Sequence, residues 1–218
     1  MGYLNTAVFI SGRGSNLEAL IKSCDTLSSK TKISLVISNN PKAPGLFKAE
    51  QKNIPTKIID HHLFPDRFSF ESSLLETLQN YKINFICLAG FMKILSKQFI
   101  EKWDKKIINI HPSLLPAFPG LNTHQRVLES GVKFTGCTVH FVDANIDTGP
   151  IIIQAITPVL SKDTSETLAT RVLELEHKIY PIALQWLAKN KLTVINNKVL
   201  VNEKLLEDQS FLIYPTAS

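Results

Sequence analysis

The segment of residues 106–120 constrains the fold of this chain more than any other. Residues 107–110 are apolar and β-branched except for Asn109, which is typical of a buried strand in a parallel sheet. Asn109 and His111 are two positions apart, so both side chains project from the same face of the strand. Pro112 cannot donate to a sheet, and it places this pair at the carboxyl end of the strand. Open α/β sheets bind ligands outside these ends, where an amide beside an imidazole can hold a carbonyl oxygen that gains negative charge.

Strand-sized apolar runs alternate with helical stretches along the chain, which indicates βαβ units and a largely parallel sheet. The predicted strands are residues 6–11, 33–38, 56–59, 84–89, 106–111, 136–142 and 150–159, and the predicted helices are 17–23, 45–52, 66–80, 96–102, 123–129 and 164–190. The last two strands have no helix between them and should form an antiparallel hairpin. The predicted fold class is therefore α/β and Rossmann-like: a mostly parallel, twisted sheet with helices on both faces and a C-terminal antiparallel hairpin portion.

Composition narrows the class of function. No apolar run approaches the roughly 20 residues that cross a bilayer, and the amino terminus lacks a secretory pattern. The three cysteines are widely spaced and the histidine pairs lack metal-site spacing, so we expect reduced thiols in the cytoplasm and no metal. The net charge is +5, but the lysines are scattered, which disfavours nucleic acid and favours small anionic substrates.

A glycine-containing turn joins the first predicted strand to the first predicted helix. It reads Gly-Arg-Gly-Ser-Asn over residues 12–16, an arrangement that turns backbone N–H groups and the helix dipole toward an anion. Gly14 lets the backbone approach a phosphate, and Ser15 and Asn16 can add side-chain hydrogen bonds. Leu17 stands where a dinucleotide-binding loop has its third glycine, so a monophosphate ester fits better than a pyrophosphate. An ordinary strand-to-helix turn is the alternative.

An acidic residue lies in the loop predicted between the last two strands. Asp147 precedes Thr-Gly-Pro and by itself indicates only a turn. If the fold brings it next to His111, its carboxylate would favour the imidazolium form, orient the ring and relay protons. Thr138 and His140 lie on one face of their strand and would line the same pocket. The alternative is that Asn109 and His111 are structural residues and the three groups stay apart.

Several segments, in this order, resemble the phosphoribosylglycinamide formyltransferases, the folate-dependent enzymes of de novo purine synthesis. They are residues 10–17, 88–92, 109–116, 118–121, 123–124 and 147–150. The motif Asn-x-His-Pro-Ser-Leu-Leu-Pro is specific to the wider formyltransferase group, and the Phe-Pro-Gly-Leu that follows resembles the glycinamide ribonucleotide enzymes. Methionyl-tRNA formyltransferases and formyltetrahydrofolate hydrolases carry an additional domain for which this chain leaves no room, so we expect neither.

The resemblance implies that the amine of 5'-phosphoribosylglycinamide attacks the formyl group of 10-formyltetrahydrofolate, a co-substrate, without a metal. Asn109 and His111 would stabilise the oxyanion, and Asp147 would assist proton transfer. The implied substrate contacts are Gly14, Ser15, Asn16 and Glu176. The implied folate contacts are Arg67, Met92, Lys93, Ile94, Leu95, Asn109, Asp143, Ala144, Asn145 and Ile146. Lys93 stands where an arginine is common, so an ammonium replaces a planar guanidinium.

On this interpretation the whole chain, residues 1–218, is one formyltransferase domain. Residues 1–105 form its phosphate-binding half, residues 106–190 its catalytic and folate-binding half, and residues 191–218 a small hairpin and tail. The partners would be the two small molecules, with no nucleic acid and no membrane, and we expect a monomer or weak homodimer. Two other classes stay open: a nucleotide-dependent oxidoreductase that uses the glycine loop, and a noncatalytic ligand- or RNA-binding module.

Overall fold

A computed structural model gives the structure of the chain and describes residues 3–25 and 29–202. Its strands are β1 (Leu4–Ile10), β2 (Thr31–Ser38), β3 (Thr56–Ile58), β4 (Phe85–Leu88), β5 (Ile107–His111), β6 (Phe134–Phe141), β7 (Ile151–Pro158), β8 (Leu192–Ile195) and β9 (Lys198–Val201). Its helices are α1 (Ser15–Cys24), α2 (Pro44–Glu50), α3 (Arg67–Asn80), α4 (Lys97–Lys102), α5 (Thr123–Ser130) and α6 (Ser165–Ala188), with a 3-10 turn at His61–Leu63. In these ranges, no helix has the length and apolar character needed to span a bilayer.

Seven strands form one sheet in the order β3-β2-β1-β4-β5-β6-β7. The first five strands of the chain are parallel, whereas β6 runs antiparallel to both β5 and β7. The strands β8 and β9 pair separately as the small hairpin that the sequence predicts. The predicted mostly parallel sheet with a late antiparallel portion is therefore confirmed. The predicted tail after residue 202 lies outside the described residues.

Helices cover both faces of the sheet because the central strands are apolar on both sides. In β1, Val8 packs into a core shared with α1, α2, α5 and α6, whereas its neighbour Phe9 packs into a second core with α3 and α4. Both side chains are fully buried. Continuous apolar runs are what strands buried on both faces require, which explains why the sequence shows no polar alternation here.

The longest helix, α6, is fixed at its start and over the middle of the sheet. Thr164 and Thr167 form a reciprocal capping box at its amino end. The helix runs on through Pro181, where the sequence predicts a kink. The buried hydroxyl of Tyr180 is 2.9 Å from the carbonyl oxygen of Leu88 and 3.2 Å from that of Ile108. This side chain therefore ties α6 to β4 and β5.

The strand order creates a crevice at the carboxyl ends of β1 and β4. The chain moves outward from β1 to β2 and β3, and then returns to place β4 on the other side of β1. The connections that follow β1 and β4 diverge, and ligands of open α/β sheets bind at such a point. The turn of residues 12–16 and the carboxyl end of β5 both lie along this edge of the sheet.

Gly136 of β6 marks a close approach between the backbones of β6 and β7. A Cβ atom at this position would lie 1.8 Å from the carbonyl oxygen of Ala155. We therefore expect Gly136→Ala to lower the free energy of unfolding by about 1–3 kcal/mol or more, measured by urea denaturation. Gly12→Ala is the control, because a Cβ there meets nothing within 4 Å. Equal losses in the two variants would contradict this expectation.

Candidate active site

A cavity of about 930 Å³ opens beside the carboxyl ends of β4 and β5. This volume is in the range of sites that enclose small molecules. The lining comes mainly from residues 88, 90–95, 109–112, 120–125, 140 and 142–147. They belong to the loops that follow β4, β5 and β6, to the carboxyl ends of these strands and to the first turn of α5. The cavity therefore combines the segments that the sequence analysis singled out separately.

Asn109 and His111 both line this cavity, as strand alternation predicts. The pairing of β5 with β6 places Asn109 opposite His140 and His111 opposite Thr138. Side chains at directly paired positions share one face of a sheet. The carboxyl end of β5 and the facing part of β6 thus present an amide and two imidazoles to the same side.

Asp147 reaches His111 because the loop between β6 and β7 folds back over this face of the sheet. One carboxylate oxygen, Oδ2, lies 3.2 Å from His111 Nδ1 and accepts a 2.8 Å hydrogen bond from the backbone N–H of Gly120. The other oxygen lies 3.6 Å from His140 Nε2. The end of this loop passes close to β6 at Gly149, where a Cβ would lie 1.9 Å from the carbonyl oxygen of Phe141. The contact that the sequence could only suggest is present.

The His111 ring lies between two hydrogen-bond acceptors. Its Nε2 is 2.9 Å from the carbonyl oxygen of Phe118, and its Nδ1 faces the carboxylate of Asp147. Only the imidazolium form of a histidine can donate from both ring nitrogens at once. The side chains of His111 and Asp147 are 6% and 11% exposed, so water screens this pair weakly.

His140 orients the amide of Asn109. Its Nδ1 is 2.8 Å from the carbonyl oxygen of Phe141, which can only accept, so this nitrogen carries the hydrogen. Burial lowers the pKa of His140, despite opposing contributions from its bond to Phe141 and from Asp147, and so favours the neutral ring. Its Nε2 can then accept from Asn109 Nδ2 at 3.3 Å. This contact fixes the amide with its N–H group toward His140 and leaves the second N–H for a ligand.

Thr138 holds the proline-containing loop that follows β5. Its hydroxyl donates to the carbonyl oxygen of Ser113 at 2.7 Å and accepts from the backbone N–H of Leu115 at 3.1 Å. Gln154 of β7 donates to the same hydroxyl and to the carbonyl oxygen of Leu115. The sequence predicts that Thr138 and His140 line the pocket; His140 does, whereas Thr138 is fully buried and lies outside the lining. Both residues make their contacts because they pair with His111 and Asn109 in neighbouring antiparallel strands.

The predicted phosphate loop is compact and packs against the start of α2. Gly14 has φ 69°, and a Cβ on it would lie 2.7 Å from the Cα of Gly45. An L side chain is excluded there by both the dihedral angle and the contact. Ser15 is half-buried and begins α1, so its backbone N–H belongs to a free helix terminus. The loop therefore has the form that anion binding requires.

Asn16 and Glu176 meet although they are 160 residues apart in the sequence. The Asn16 Nδ2 group donates to Glu176 Oε2 at 2.7 Å, and both side chains are buried. Burial raises the pKa of Glu176, and the bond from Asn16 partly opposes this. Asn16 Oδ1 is buried and has no hydrogen-bond partner in the described part of the chain. The pair can therefore accept hydrogen bonds from a polar ligand beside the glycine loop.

All but one of the predicted folate contacts line the cavity. They are Met92, Lys93, Ile94, Leu95, Asn109, Asp143, Ala144, Asn145 and Ile146. Met92, Ile94 and Ile146 are exposed apolar side chains, which supply hydrophobic surface for a ring system. Asp143 shapes its own loop, because it accepts from the backbone of Asn145. Arg67 is exposed at the start of α3, and the structure does not bring it into the lining.

Within residues 3–25 and 29–202, one group of side chains has ligand atoms close enough for a metal ion. Asp60, His61 and His62 each offer one such atom, and these atoms lie within 4.8 Å of one another. Asp60 already accepts a 3.0 Å hydrogen bond from the backbone N–H of His62. These residues are consecutive and lie outside the cavity lining. The expectation that the chain needs no metal stays a prediction.

The chain is similar to known formyltransferases over most of its length. The formyl transferase family matches residues 4–184. The phosphoribosylglycinamide formyltransferase of Escherichia coli (strain K12) is 38% identical over 95% of this chain and 98% of that protein. The trifunctional purine biosynthetic protein adenosine-3 of Gallus gallus is 51% identical over 88% of this chain, which spans only 19% of that relative. The crystal structure of glycinamide ribonucleotide transformylase 1 from Symbiobacterium toebii has a TM-score of 0.90 and 41% identity, over 92% of this chain and 95% of that one.

The buried His140 makes stability depend on pH. Because burial lowers its pKa, the unfolded chain binds a proton below the ordinary histidine pKa of about 6.5 while the folded chain resists it. We expect acidification from pH 7.5 to 5.5 to lower the free energy of unfolding more in the wild type than in His140→Gln. Urea denaturation across this range measures the difference, with His62→Gln as the control for loss of an exposed imidazole. Parallel profiles for the wild type and His140→Gln would contradict the assignment.

Proposed function

Because the chain belongs to the phosphoribosylglycinamide formyltransferases, within the formyl transferase family, we propose that it formylates 5'-phosphoribosylglycinamide in purine biosynthesis. The formyl donor is 10-formyltetrahydrofolate, used as a co-substrate. The observation that carries this proposal is the convergence of Asn109, His111 and Asp147 on one cavity of about 930 Å³. An amide donor, an imidazole and a carboxylate at one point are the groups that acyl transfer to an amine requires.

In the proposed reaction the substrate amine attacks the formyl carbon directly. A bond forms from the amine nitrogen to that carbon, and the carbonyl oxygen becomes negative in the tetrahedral intermediate. The bond from the carbon to the folate nitrogen then breaks, and the carbonyl is restored. One proton leaves the amine and one is delivered to the folate nitrogen, so the reaction needs no oxidant or reductant.

Asn109 is the proposed first donor to the oxyanion. Its amide is held by His140 through one N–H, and the other N–H is available at the cavity wall. A donor fixed before the reaction stabilises developing charge without reorganising, and in other acyl-transfer sites such a group contributes about 3–4 kcal/mol. His140 is thus a positioning residue that acts through Asn109.

His111 is the proposed second donor, in its imidazolium form. Asp147 holds its Nδ1, which leaves Nε2 as the nitrogen that can reach the oxyanion. That nitrogen is 2.9 Å from the carbonyl oxygen of Phe118. His111 must therefore share or give up its hydrogen bond to Phe118 before it can donate to the substrate. Phe118 has a positive φ of 55° in the loop after β5, and a small shift of this loop would release the nitrogen.

Asp147 is the proposed proton acceptor and relay. Its carboxylate contacts His111 and the backbone of Gly120 at the cavity wall, where the attacking amine would stand. The carboxylate receives the amine proton, directly or through water, and returns it to the folate nitrogen. General acid–base assistance of this kind contributes roughly 10²–10⁴-fold in rate.

The proposed substrate sites lie on the two sides of this centre. The phosphate would accept from the backbone N–H groups of Gly14 and Ser15 and from the second N–H of the Asn16 amide, and Glu176 would accept from the sugar. The folate would occupy the cavity between residues 92–95 and 143–146. Lys93 would place a positive charge at the cavity wall for the acidic tail of the folate, and Arg67 would do so only from the exposed surface outside the lining.

A direct assay tests the proposal. Purified chain, 5'-phosphoribosylglycinamide and 10-formyltetrahydrofolate are mixed, and the formation of tetrahydrofolate is followed. We expect release that depends on both substrates and stops when the amine is omitted. Release that does not depend on the amine would instead indicate a hydrolase, an outcome worth testing because a formyltetrahydrofolate deformylase from Pseudomonas syringae shares the fold at 25% identity.

Variants of the central residues test the assigned roles. We expect Asp147→Asn and Asn109→Ala to lower kcat about 10²–10³-fold or more while KM for each substrate changes little, because both groups act in the transition state. Asp104→Asn makes the same chemical change at an exposed carboxylate and should leave both constants unchanged. A defect confined to KM would reject the catalytic roles of Asn109 and Asp147.

A further inference from the structure

We propose that Ser11 is a positioning residue that couples the two substrate sites, so that each bound substrate strengthens binding of the other. The proposal rests on the proposed function, because it assumes that a phosphate binds residues 12–16 and that a folate binds beside residues 92–95. It adds a residue that contacts neither substrate. Its role is to connect two loops that belong to different sites.

The two loops follow strands that are neighbours in the sheet. β1 pairs directly with β4, and residues 12–16 follow β1 while residues 90–95 follow β4. Residues 90–95 line the cavity, whereas residues 12–16 form the turn into α1. The loops separate beyond the strand ends, so contact between them must be made close to the point of divergence. Ser11 occupies that point.

Every polar group of Ser11 is hydrogen-bonded to residues that follow one of the two neighbouring strands, β2 or β4. Its backbone N–H donates to the carbonyl oxygen of Gly90 at 3.2 Å, and its own carbonyl oxygen accepts from Asn40 Nδ2 at 3.2 Å. Its hydroxyl donates to Asn39 Oδ1 at 2.5 Å and accepts from the backbone N–H of Met92 at 2.8 Å. One residue therefore joins the ends of β1, β2 and β4.

The bond from Met92 carries the coupling. β4 ends at Leu88, so the backbone N–H of Met92 lies beyond the strand ladder and is satisfied by a side chain. The single hydrogen of the Ser11 hydroxyl is donated to Asn39 Oδ1. The hydroxyl oxygen is therefore an acceptor for the backbone N–H of Met92. A ligand that immobilises residues 12–16 also restrains Ser11 and, through it, the backbone of residues 90–95. The second ligand then loses less conformational entropy on binding.

Ser38 provides a matched control on the neighbouring strand. It ends β2, is fully buried, and its hydroxyl also makes two hydrogen bonds. Both bonds go to the backbone of Asn40, one to the carbonyl oxygen at 2.8 Å and one from the N–H at 3.1 Å. Removing this hydroxyl affects only the loop after β2, whereas removing that of Ser11 also leaves the backbone N–H of Met92 without its acceptor.

Calorimetric titration of the full chain measures the coupling. The dissociation constant of 5'-phosphoribosylglycinamide is determined alone and with saturating tetrahydrofolate, which lacks the formyl group and cannot react. For the wild type we expect binding to tighten at least about 5-fold when tetrahydrofolate is present, the lower end of common coupling factors. Ser11→Ala should bring this ratio close to 1, while Ser38→Ala should keep the wild-type ratio. Ser11→Cys, nearly isosteric but a weak hydrogen-bonding group, should reduce the ratio and serves if the alanine variant does not fold.

Three results would overturn the inference: no coupling in the wild type, full coupling retained without the Ser11 hydroxyl, or equal loss in the Ser11 and Ser38 variants. The last would show that general loosening of the sheet edge is the cause. Different results would overturn the coupling inference and the proposed function. A wild type that transfers formyl groups but binds its substrates independently overturns the coupling alone, whereas a wild type that transfers no formyl group overturns both.

Discussion

The contact between the Asp147 carboxylate and the His111 ring is the interaction on which the candidate site depends. It joins the end of β5 to a loop whose residues are remote in sequence, and it draws in the backbone N–H of Gly120 from a third segment. Breaking it would leave a carboxylate and an imidazole with little exposure and poor solvation. The site is therefore assembled as a unit, because its three segments satisfy one another.

The two histidines of the site face different hydrogen-bonding groups. His111 lies between a carbonyl oxygen and a carboxylate, both of which can only accept. His140 lies between a carbonyl oxygen and the amide of Asn109, so one nitrogen donates and the other accepts. Burial lowers the pKa of His140, which favours its neutral form beside Asp147. In active sites, neighbouring groups held in different protonation states commonly take different roles. In the proposed mechanism, His111 would be the charged donor and His140 the neutral group that orients Asn109.

The fold was predictable because it follows from local patterns, whereas the site was predictable only in part. Strand period two placed Asn109 and His111 on one face, and that prediction is confirmed. The position of Asp147 depends on its positive φ of 56° and on the close approach of Gly149 to β6. The alternation of apolar and polar residues along the sequence predicts neither feature. The contact of Asn16 with Glu176 requires α6 to cross the sheet, which local sequence does not specify.

Two other residues show what resemblance and local pattern do not specify. The resemblance alone places Arg67 in the folate pocket, whereas the structure places it on the exposed side of α3. The sequence predicts only that His140 lines the pocket, and its contact with Asn109 follows from the pairing of β5 with β6. A motif identifies which residue types are present, but which group donates and which accepts depends on the neighbours of each side chain in the folded structure.

The sheet itself sets the distance between the phosphate and the reacting amine in the proposed function. The glycine loop follows β1, and Asn109 and His111 lie on β5, with β4 between them. Strands are about 4.8 Å apart, so the two sites are separated by about 10 Å along the sheet edge. A ribose with a phosphate on one arm and a glycinamide on the other is comparable in length. A substrate anchored by its phosphate at β1 would therefore present its amine at β5 without any movement of the sheet. Holding reactants in such a geometry is itself a large part of catalysis, because the entropy of bringing them together is lost on binding rather than in the transition state.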